Sequence, residues 1–465
     1  MSNLIIYILG ICIYNSILFY ENRLGINVIL FIGPLLGFIY YALNKNKKIN
    51  NKKGLLFMIP IILLSIFYVI YDNTFFKVFN TIVITILFLL MYLFTINHTY
   101  RFLGVLKHLI YLFFVPLSHI GNLYRVVKLN TEKALKLTTD GKKKIKSILI
   151  IFPIVLIVLM LLSSADALFG NIFDNFFNVL KKLSIGNLIG RIISIIILFT
   201  YLGSTINYLL YGYKLDDKES SKKIDNYTIK LLLTVLNMIY IVFDFIQIRS
   251  LIFHSGLTNI DYASYARSGF FQLMFISIIN LTILLISKKT KEDTKYNKVM
   301  SVIMVLLTFI IIVSSFLRMY MYESTYGYTL LRLLVYITLI TEIILLIPTL
   351  VYIFNRKVNI LKPYMIIIIC VYTIVSLLPV DYFIAKNNIN RYNKTHKIDV
   401  YYLMNNSTDN ISLLSDLYYK LDNKEDKTKL KAYLYKMYRQ TKNDKTLEYN
   451  ISRKNSLKYL DKYYE

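Results

Sequence analysis

Asp244 is the residue whose chemistry stands out most in this chain, because it places a carboxylic acid inside a long apolar run. Thr234, Asn237, Tyr240 and Gln247 accompany it at spacings of three and four residues. On an α-helix such spacings put the side chains on one face. The pattern therefore predicts a helix with one polar face, which must point toward other helices or a water-filled cavity rather than toward lipid.

Other apolar runs contain Asn207, Asn280 and Glu342, and Glu342 is expected at a depth similar to that of Asp244. Polar groups in such positions have two explanations. Either they form hydrogen bonds between helices, each worth about 0.6 kcal/mol, or they line a pathway for an ion or a substrate. The residue types alone leave both explanations open.

Five arginines form a second candidate site. The chain otherwise uses lysine as its main cation, so arginine at the outer ends of predicted helices indicates a chemical requirement. A guanidinium group offers a planar fork of donors that matches a carboxylate or a phosphate, which an ammonium group cannot copy. The arginines are Arg191, Arg249, Arg267, Arg318 and Arg332, and the acidic residues expected at the same level are Asp166, Asp174, Asp261, Glu323 and Asp381.

These arginines also have two explanations. They form a rim of ion pairs that holds helix ends together, or they bind an anionic ligand such as a lipid headgroup, a cell-wall precursor or a phosphorylated solute. Arg318 and Arg332 are expected to flank one short outer loop that contains Glu323.

No catalytic, metal or cofactor motif accompanies these residues. Cys12 and Cys370 each lie in an apolar run, so neither a disulfide framework nor a metal-site spacing is present in the sequence. No Ser/His/Asp or Cys/His set can be assembled, and no phosphate-binding loop, dinucleotide fingerprint or zinc-protease motif occurs. The sequence thus predicts no cofactor and no metal, and an enzyme is poorly supported.

The elements that must position these residues follow from composition. Hydrophobic residues make up 56% of the 465 residues, and the mean hydropathy is +0.53, both too high for a soluble domain. The 54 Lys and Arg against 27 Asp and Glu give a formal charge of +27. A soluble basic protein would suggest nucleic-acid binding, but here the cations alternate with long apolar runs. The sequence predicts an all-α, polytopic transmembrane bundle whose partner is the lipid bilayer and not a nucleic acid.

The apolar runs predict about eleven transmembrane helices, since a span needs roughly 17–25 residues to cross a ~30 Å hydrocarbon core. The predicted spans are 4–20, 26–43, 54–71, 78–96, 147–162, 188–211, 228–253, 269–286, 299–317, 329–353 and 363–383.

Lysine-rich loops set the expected orientation, because such loops remain in the cytoplasm. All five fall on one side of the membrane if residues 103–119 form an interfacial or re-entrant helix that does not cross. The N-terminus is then cytoplasmic, and the tail is extracytoplasmic. The loops are 44–53, 101–146, 214–223, 288–298 and 356–362.

Three regions are expected. Residues 1–146 form an N-terminal membrane region with four spans, the interfacial helix and a basic loop. Residues 147–384 form a membrane core of seven spans. Residues 385–465 form a polar tail, in which apolar periodicity at 411–421 and 429–438 predicts two small helices.

Four stretches resemble a known family. They read SADALFG at 164–170, YASYARSGFFQL at 262–273, RMYMYESTYGYTLLR at 318–332 and DVYYL at 399–403. They are similar to the bacterial membrane family called domain of unknown function 4173, whose relative is the 4153 group. The resemblance covers roughly residues 160–410. It implies a bacterial inner-membrane protein, from a low-GC Gram-positive organism, and it implies no particular activity.

Two functions from different classes remain. A protein that binds or transports an anionic solute or a lipid-like ligand fits the polar stripe around Asp244 and the arginine rim. A non-enzymatic membrane sensor or assembly protein, which acts through its outer tail and protein partners, fits the tail and the lack of a coupling motif. The sequence ranks the two nearly equally.

Overall fold

The computed structural model describes residues 2–96, 185–207, 225–252, 270–288 and 294–464, and every regular element in these ranges is helical. The predicted all-α class is therefore confirmed. Numbered along the described chain, the helices are α1 (Ser2–Phe19), α2 (Ile26–Lys45), α3 (Met58–Ile70), α4 (Thr74–Ile96), α5 (Ile185–Asn207), α6 (Asn226–Ile252), α7 (Phe270–Ser287), α8 (Lys295–Tyr326), α9 (Leu330–Phe354), α10 (Leu361–Ser376), α11 (Val380–Thr395), α12 (Val400–Met404), α13 (Ile411–Lys420), α14 (Lys424–Lys442) and α15 (Ile451–Tyr464).

Six of the described helices are long and apolar enough to cross a membrane, or seven if one bent pair counts as a single span. The prediction of about eleven spans is not supported. Three further apolar stretches in the described ranges are shorter, namely Ile6–Phe19, Gly190–Ile206 and Phe271–Ser287, and at 1.5 Å per residue an apolar stretch of about 17 residues reaches about 26 Å. Hydropathy counts every apolar run, whereas crossing also requires helical length. The predicted span 147–162 and the segment 103–119 lie outside the described residues.

The bent pair corrects the predicted straight span 363–383. Helices α10 and α11 meet at an angle of 63°. Pro379 lies at the break, immediately before α11. Proline lacks the N–H that would continue the helical hydrogen bonds, and it disfavours helical geometry in the residue before it. The chain therefore turns there, and α11 continues to Thr395.

The described chain divides into two compact units. The first comprises residues 1–56 and 89–216. In it, α1 packs against α2 and α5 around a small core with Ile8, Cys12 and Phe38. The basic loop after α2 is fixed on the end of α4, because the amides of Asn50 and Asn51 both donate to the Thr95 carbonyl, at 3.0 and 2.9 Å.

The second unit comprises residues 57–88 and 217–465. Its central helix is α8, which packs against α6, α7 and α9. The apolar core between these four helices includes Leu233, Leu284, Ile312 and Leu339, all fully buried. This four-helix bundle carries most of the polar residues singled out above, so its packing determines where they lie.

The tail packs on the second unit through α13, α14 and α15. The structure has helices at both predicted positions, and it adds α12 and α15. The Asn450 side chain donates to the carbonyls of Tyr68 and Tyr71, at 2.9 Å each, and so satisfies the end of α3. Buried Arg453 lies 3.1 Å from Asp444 and donates to the Glu448 carbonyl. The boundaries of the three predicted regions stay a prediction.

Candidate functional site

A set of polar side chains lies on α6, α7, α8 and α9, where hydrogen bonds connect several of them between helices. We call it the polar track. All but Tyr240, which is half-buried, are buried although the surrounding helices are apolar. Its members are Asn237, Tyr240, Asp244, Gln247, Ser277, Asn280, Thr308, Ser314, Arg318 and Glu342.

The middle of the polar track is a chain of hydrogen bonds across three helices. The Tyr240 hydroxyl donates to Asn280 Oδ1 at 2.8 Å, and Asn280 Nδ2 donates to Thr308 Oγ1 at 3.0 Å. Nearby, Asn237 Nδ2 donates to the Met300 carbonyl at 2.9 Å. These bonds fit the explanation in which polar groups connect helices, because each donor finds a partner on another helix.

Glu342 is only half satisfied. It is 3% exposed, and one carboxylate oxygen accepts a hydrogen bond from Ser277 Oγ. The other oxygen, Oε1, has no hydrogen-bond partner in the described ranges. Ser277 and Asn280 are three residues apart on α7, so Glu342 lies beside the hydrogen-bonded chain described above.

Asp244 is the exception within the polar track. It is 2% exposed, and within the described part of the chain neither carboxylate oxygen has a hydrogen-bond partner. It lies one turn from Tyr240 and from Gln247 on the buried face of α6. A charged aspartate at a helix centre in a membrane costs about 2.5–3.5 kcal/mol even on insertion scales. A helix-connecting role gives no reason to retain this carboxyl group.

Arg318 closes the polar track toward the end of the bundle where α8 joins α9. Its Nη2 donates to Gln247 Oε1 at 2.8 Å, and Ser314 Oγ donates to the same oxygen at 3.1 Å. Arg318 is buried, with 6% of its surface exposed. The track therefore contains a buried cation and two buried acids.

The prediction that Arg318 flanks a loop and that Glu323 lies in it is wrong. Helix α8 continues to Tyr326, so both residues are helical and only residues 327–329 form the turn. Hydroxyl groups of Tyr328 and Tyr336 bond to the Glu323 carboxylate. The predicted span ended at 317 because the hydropathy falls there, but the N-cap Thr294 and the C-cap Gly327 set the real ends.

Arg332 is held by contacts within the turn between α8 and α9. Its guanidinium group lies over the Tyr322 ring, 4.2 Å from the centroid, and Nη1 donates to the Gly327 carbonyl. The charge of Glu323 is also close enough to interact with it. These contacts agree with the explanation in which arginine holds helix ends together.

The described structure does not place the remaining predicted site residues at the polar track or at the α8–α9 turn. Arg191 belongs to the first unit, where its guanidinium group lies 5.2 Å from the Tyr20 ring centroid. Buried Asp381 accepts from Ser407 in the tail. Arg249 lies on α6 and Asn207 lies on α5, and the structure describes only the backbone of these two residues. Outside the described residues lie Arg267, Asp166, Asp174 and Asp261.

The turn between α8 and α9 is held by α11. Asn388 makes a reciprocal pair with Tyr328, accepting from its amide at 2.9 Å and donating to its carbonyl at 2.8 Å. Gly327 has φ of 85°, in the left-handed region that favours glycine. A Cβ atom there would lie 2.5 Å from Asn388 Oδ1, so close approach also requires glycine.

The stretch at 399–403 supports the same turn. Asp399 caps α12 by accepting from the Tyr402 amide at 2.8 Å. The Tyr402 hydroxyl in turn accepts from the Leu330 amide at 2.8 Å, at the first turn of α9. That amide has no partner within its own helix. Two of the four family-like stretches therefore meet, and their contact fixes the turn beside Arg332.

Sequence reasoning missed three members of the polar track: Ser277, Thr308 and Ser314. A signal for one of them, Thr308, exists. Small polar residues recur on the buried face of α8 at Ser301, Thr308 and Ser315, one every seven residues. Such a heptad spacing keeps residues on one helix face. Serine and threonine are common in transmembrane helices, so this spacing alone does not indicate a functional site.

The fold defines a helical membrane protein with a polar interior, and comparison with known proteins gives its family. A family model described as domain of unknown function 4153 (DUF4153) matches residues 58–417. The chain belongs to this family. The match supports the related group named in the sequence resemblance, and it does not confirm the 4173 label. Neither the curated proteins nor the solved structures gave a match to this chain.

The contact between Tyr402 and Leu330 predicts a specific loss of stability. Tyr402→Phe removes only the hydroxyl and leaves a partly buried amide without its partner, which costs about 1 kcal/mol. We expect a lower midpoint of thermal unfolding in detergent and faster hydrogen exchange at residues 327–330. Tyr401→Phe is the matched control, because Tyr401 is 70% exposed. Equal behaviour of the two variants would contradict the proposed contact.

Proposed function

We propose that this chain is a membrane transporter in which proton uptake by Asp244 accompanies movement of an anionic solute along the polar track. The observation that supports it best is Asp244 itself: a carboxyl group that is 2% exposed, inside a membrane bundle, with no hydrogen-bond partner for either oxygen among the residues that the structure describes. Intramembrane acids retained at such cost are typical of ion and proton pathways.

The composition of the track supports the choice of a proton and an anion. Hydroxyl and amide groups form a hydrogen-bonded chain from Tyr240 to Thr308, and such chains can relay protons. Glu342 offers a second acid on α9, where Ser277 of α7 donates to one of its oxygens and the other has no partner among the described residues. Arg318 is the buried cation of the track and provides an anion with a favourable charge.

A sensor or assembly protein is the second candidate. The observation that favours it is the attachment of the tail to the α8–α9 turn through Asn388 and Tyr402. A signal received by the tail would reach the helices of the polar track directly through this contact. In that case Asp244 and Glu342 would determine the relative stability of two arrangements of the four-helix bundle rather than carry protons.

The proposed orientation in the bacterial cell membrane has a cytoplasmic N-terminus and an extracytoplasmic tail. It is supported by the basic end of α2 at Lys45 and by the segment that follows it, which carries Lys47, Lys48, Lys52 and Lys53. The tail also carries many lysines, but long polar segments cross membranes largely regardless of their charge.

The Asp244→Asn variant tests the transport proposal. Asparagine keeps the shape of the side chain but cannot take up a proton, so the variant should fold normally and lose proton-linked flux at least tenfold. The measurement uses proteoliposomes with a trapped pH dye, a potential set with valinomycin, and inorganic phosphate as the anion probe. Asp416→Asn is the control, since Asp416 is exposed on α13.

Two results would contradict the transport proposal. One is a flux in Asp244→Asn equal to that of the unsubstituted protein. The other is no flux above that of empty vesicles for the unsubstituted protein, with or without phosphate, which would favour the sensor or assembly function.

Cysteine labelling tests the orientation. In a background with Cys12→Ala and Cys370→Ala, we expect Thr428→Cys on α14 to react with an impermeant thiol reagent in intact cells. Lys52→Cys should react only after the membrane is opened. Both positions are exposed, so differences in burial do not affect the comparison. The reverse pattern of labelling would show that the orientation is wrong.

A further inference from the structure

A cleft in the second unit lies where the tail packs against the ends of α3 and α11. Its volume is about 280 Å³, at the small end of the range of about 300–1,000 Å³ that is usual for ligand pockets. Neither candidate function described above involves this cleft. The space suits one compact ligand rather than a chain molecule.

The lining of the cleft contains no lysine, arginine or histidine. Anions are therefore poorly matched, since no cation would offset the loss of their hydration. One carboxylate, that of Asp409, lies in the lining. It is already engaged, because it accepts from the Asp72 amide at 2.9 Å and from Ser452. A metal cation would need more oxygen ligands than this single carboxylate can provide.

Neutral hydrogen-bonding groups dominate the polar part of the lining. They comprise the Asn455 amide and the hydroxyl groups of four serine and threonine residues, among them Ser412. Thr408 and Ser456 already donate within the protein, to Asp72 Oδ2 at 3.1 Å and to the Arg453 carbonyl at 2.7 Å, so they offer a ligand acceptor lone pairs. The Asn455 amide and the Ser412 hydroxyl can both donate and accept, and together these groups match a ligand that presents several hydroxyl groups. Burial raises the pKa of Asp409 to about 6, so at neutral pH its carboxylate remains an acceptor.

Three tyrosines complete the cleft: Tyr71, Tyr382 and Tyr459. Tyr459 is 51% exposed, so its ring is available to a ligand at the rim. Aromatic rings have an apolar face with partial negative charge. The C–H groups of a sugar ring carry partial positive charge and pack on such faces, while the sugar hydroxyls bond at the edges.

We propose that this cleft binds a neutral polyhydroxylated ligand of monosaccharide size. The sugar unit is either free or the headgroup of a membrane glycolipid. Both sources present the same sugar hydroxyl groups. The cleft lies beside the ends of α3 and α11, where either a free sugar or a lipid headgroup could enter. This site goes beyond the transport proposal and does not depend on the polar track.

The test uses the purified full chain in a detergent without a sugar headgroup. Saturation-transfer difference NMR with glucose, galactose and N-acetylglucosamine as probes should show transfer to the C–H protons of at least one sugar. Tyr459→Ala and Asn455→Ala should each reduce the signal at least fivefold. Both residues are exposed, so the variants should fold. Tyr419→Ala is the control, because Tyr419 is 69% exposed and lies outside the cleft.

A second arm separates the two sources. Nanodiscs of phosphatidylcholine with and without a monoglucosyl diacylglycerol are used, and bound lipid is counted by native mass spectrometry. A glycolipid ligand predicts retained glycolipid that Tyr459→Ala loses, whereas a free sugar predicts an NMR signal without lipid retention. Absence of signal in both arms, or equal signals in the unsubstituted protein and Tyr459→Ala, would overturn the proposal.

Discussion

The rest of the structure depends on one constraint: hydrocarbon offers no hydrogen-bond partners, so a polar group in a membrane helix must find its partner inside the protein. The polar face of α6 can be satisfied only against other helices. Helix α7 provides the partner Asn280, and helix α8 provides the partners Met300 and Arg318. The four-helix bundle, with α8 at its centre, is the arrangement that satisfies this face.

Asp244 is the point at which the constraint is not met. A protein selected only for stability would replace it, because an apolar side chain there would remove the desolvation cost without losing a contact. The four-helix bundle therefore maintains an unfavourable group at some expense of stability, and functional sites are where such costs are found.

The sequence predicted the all-α class and the face of α6 that carries Asn237, Asp244 and Gln247, because helical periodicity is a local property. It did not predict the number of spans, since length and the bend at Pro379 decide which apolar runs cross. It placed Arg318 and Glu323 at a loop, because hydropathy does not show that a helix continues beyond the apolar run. The contacts of Asn388 and Tyr402 with the α8–α9 turn join residues 60 and 72 positions apart, and no local pattern indicates them.

The most direct measurement for the central claim is infrared difference spectroscopy of the purified protein across a pH titration, compared with Asp244→Asn. A buried carboxyl that takes up a proton gives a C=O stretching band of the protonated acid, separate from carboxyls in water. We predict that this band changes with pH in the unsubstituted protein and that one component is missing from Asp244→Asn, while Asp416→Asn retains it. Identical spectra for the unsubstituted protein and Asp244→Asn would contradict the account.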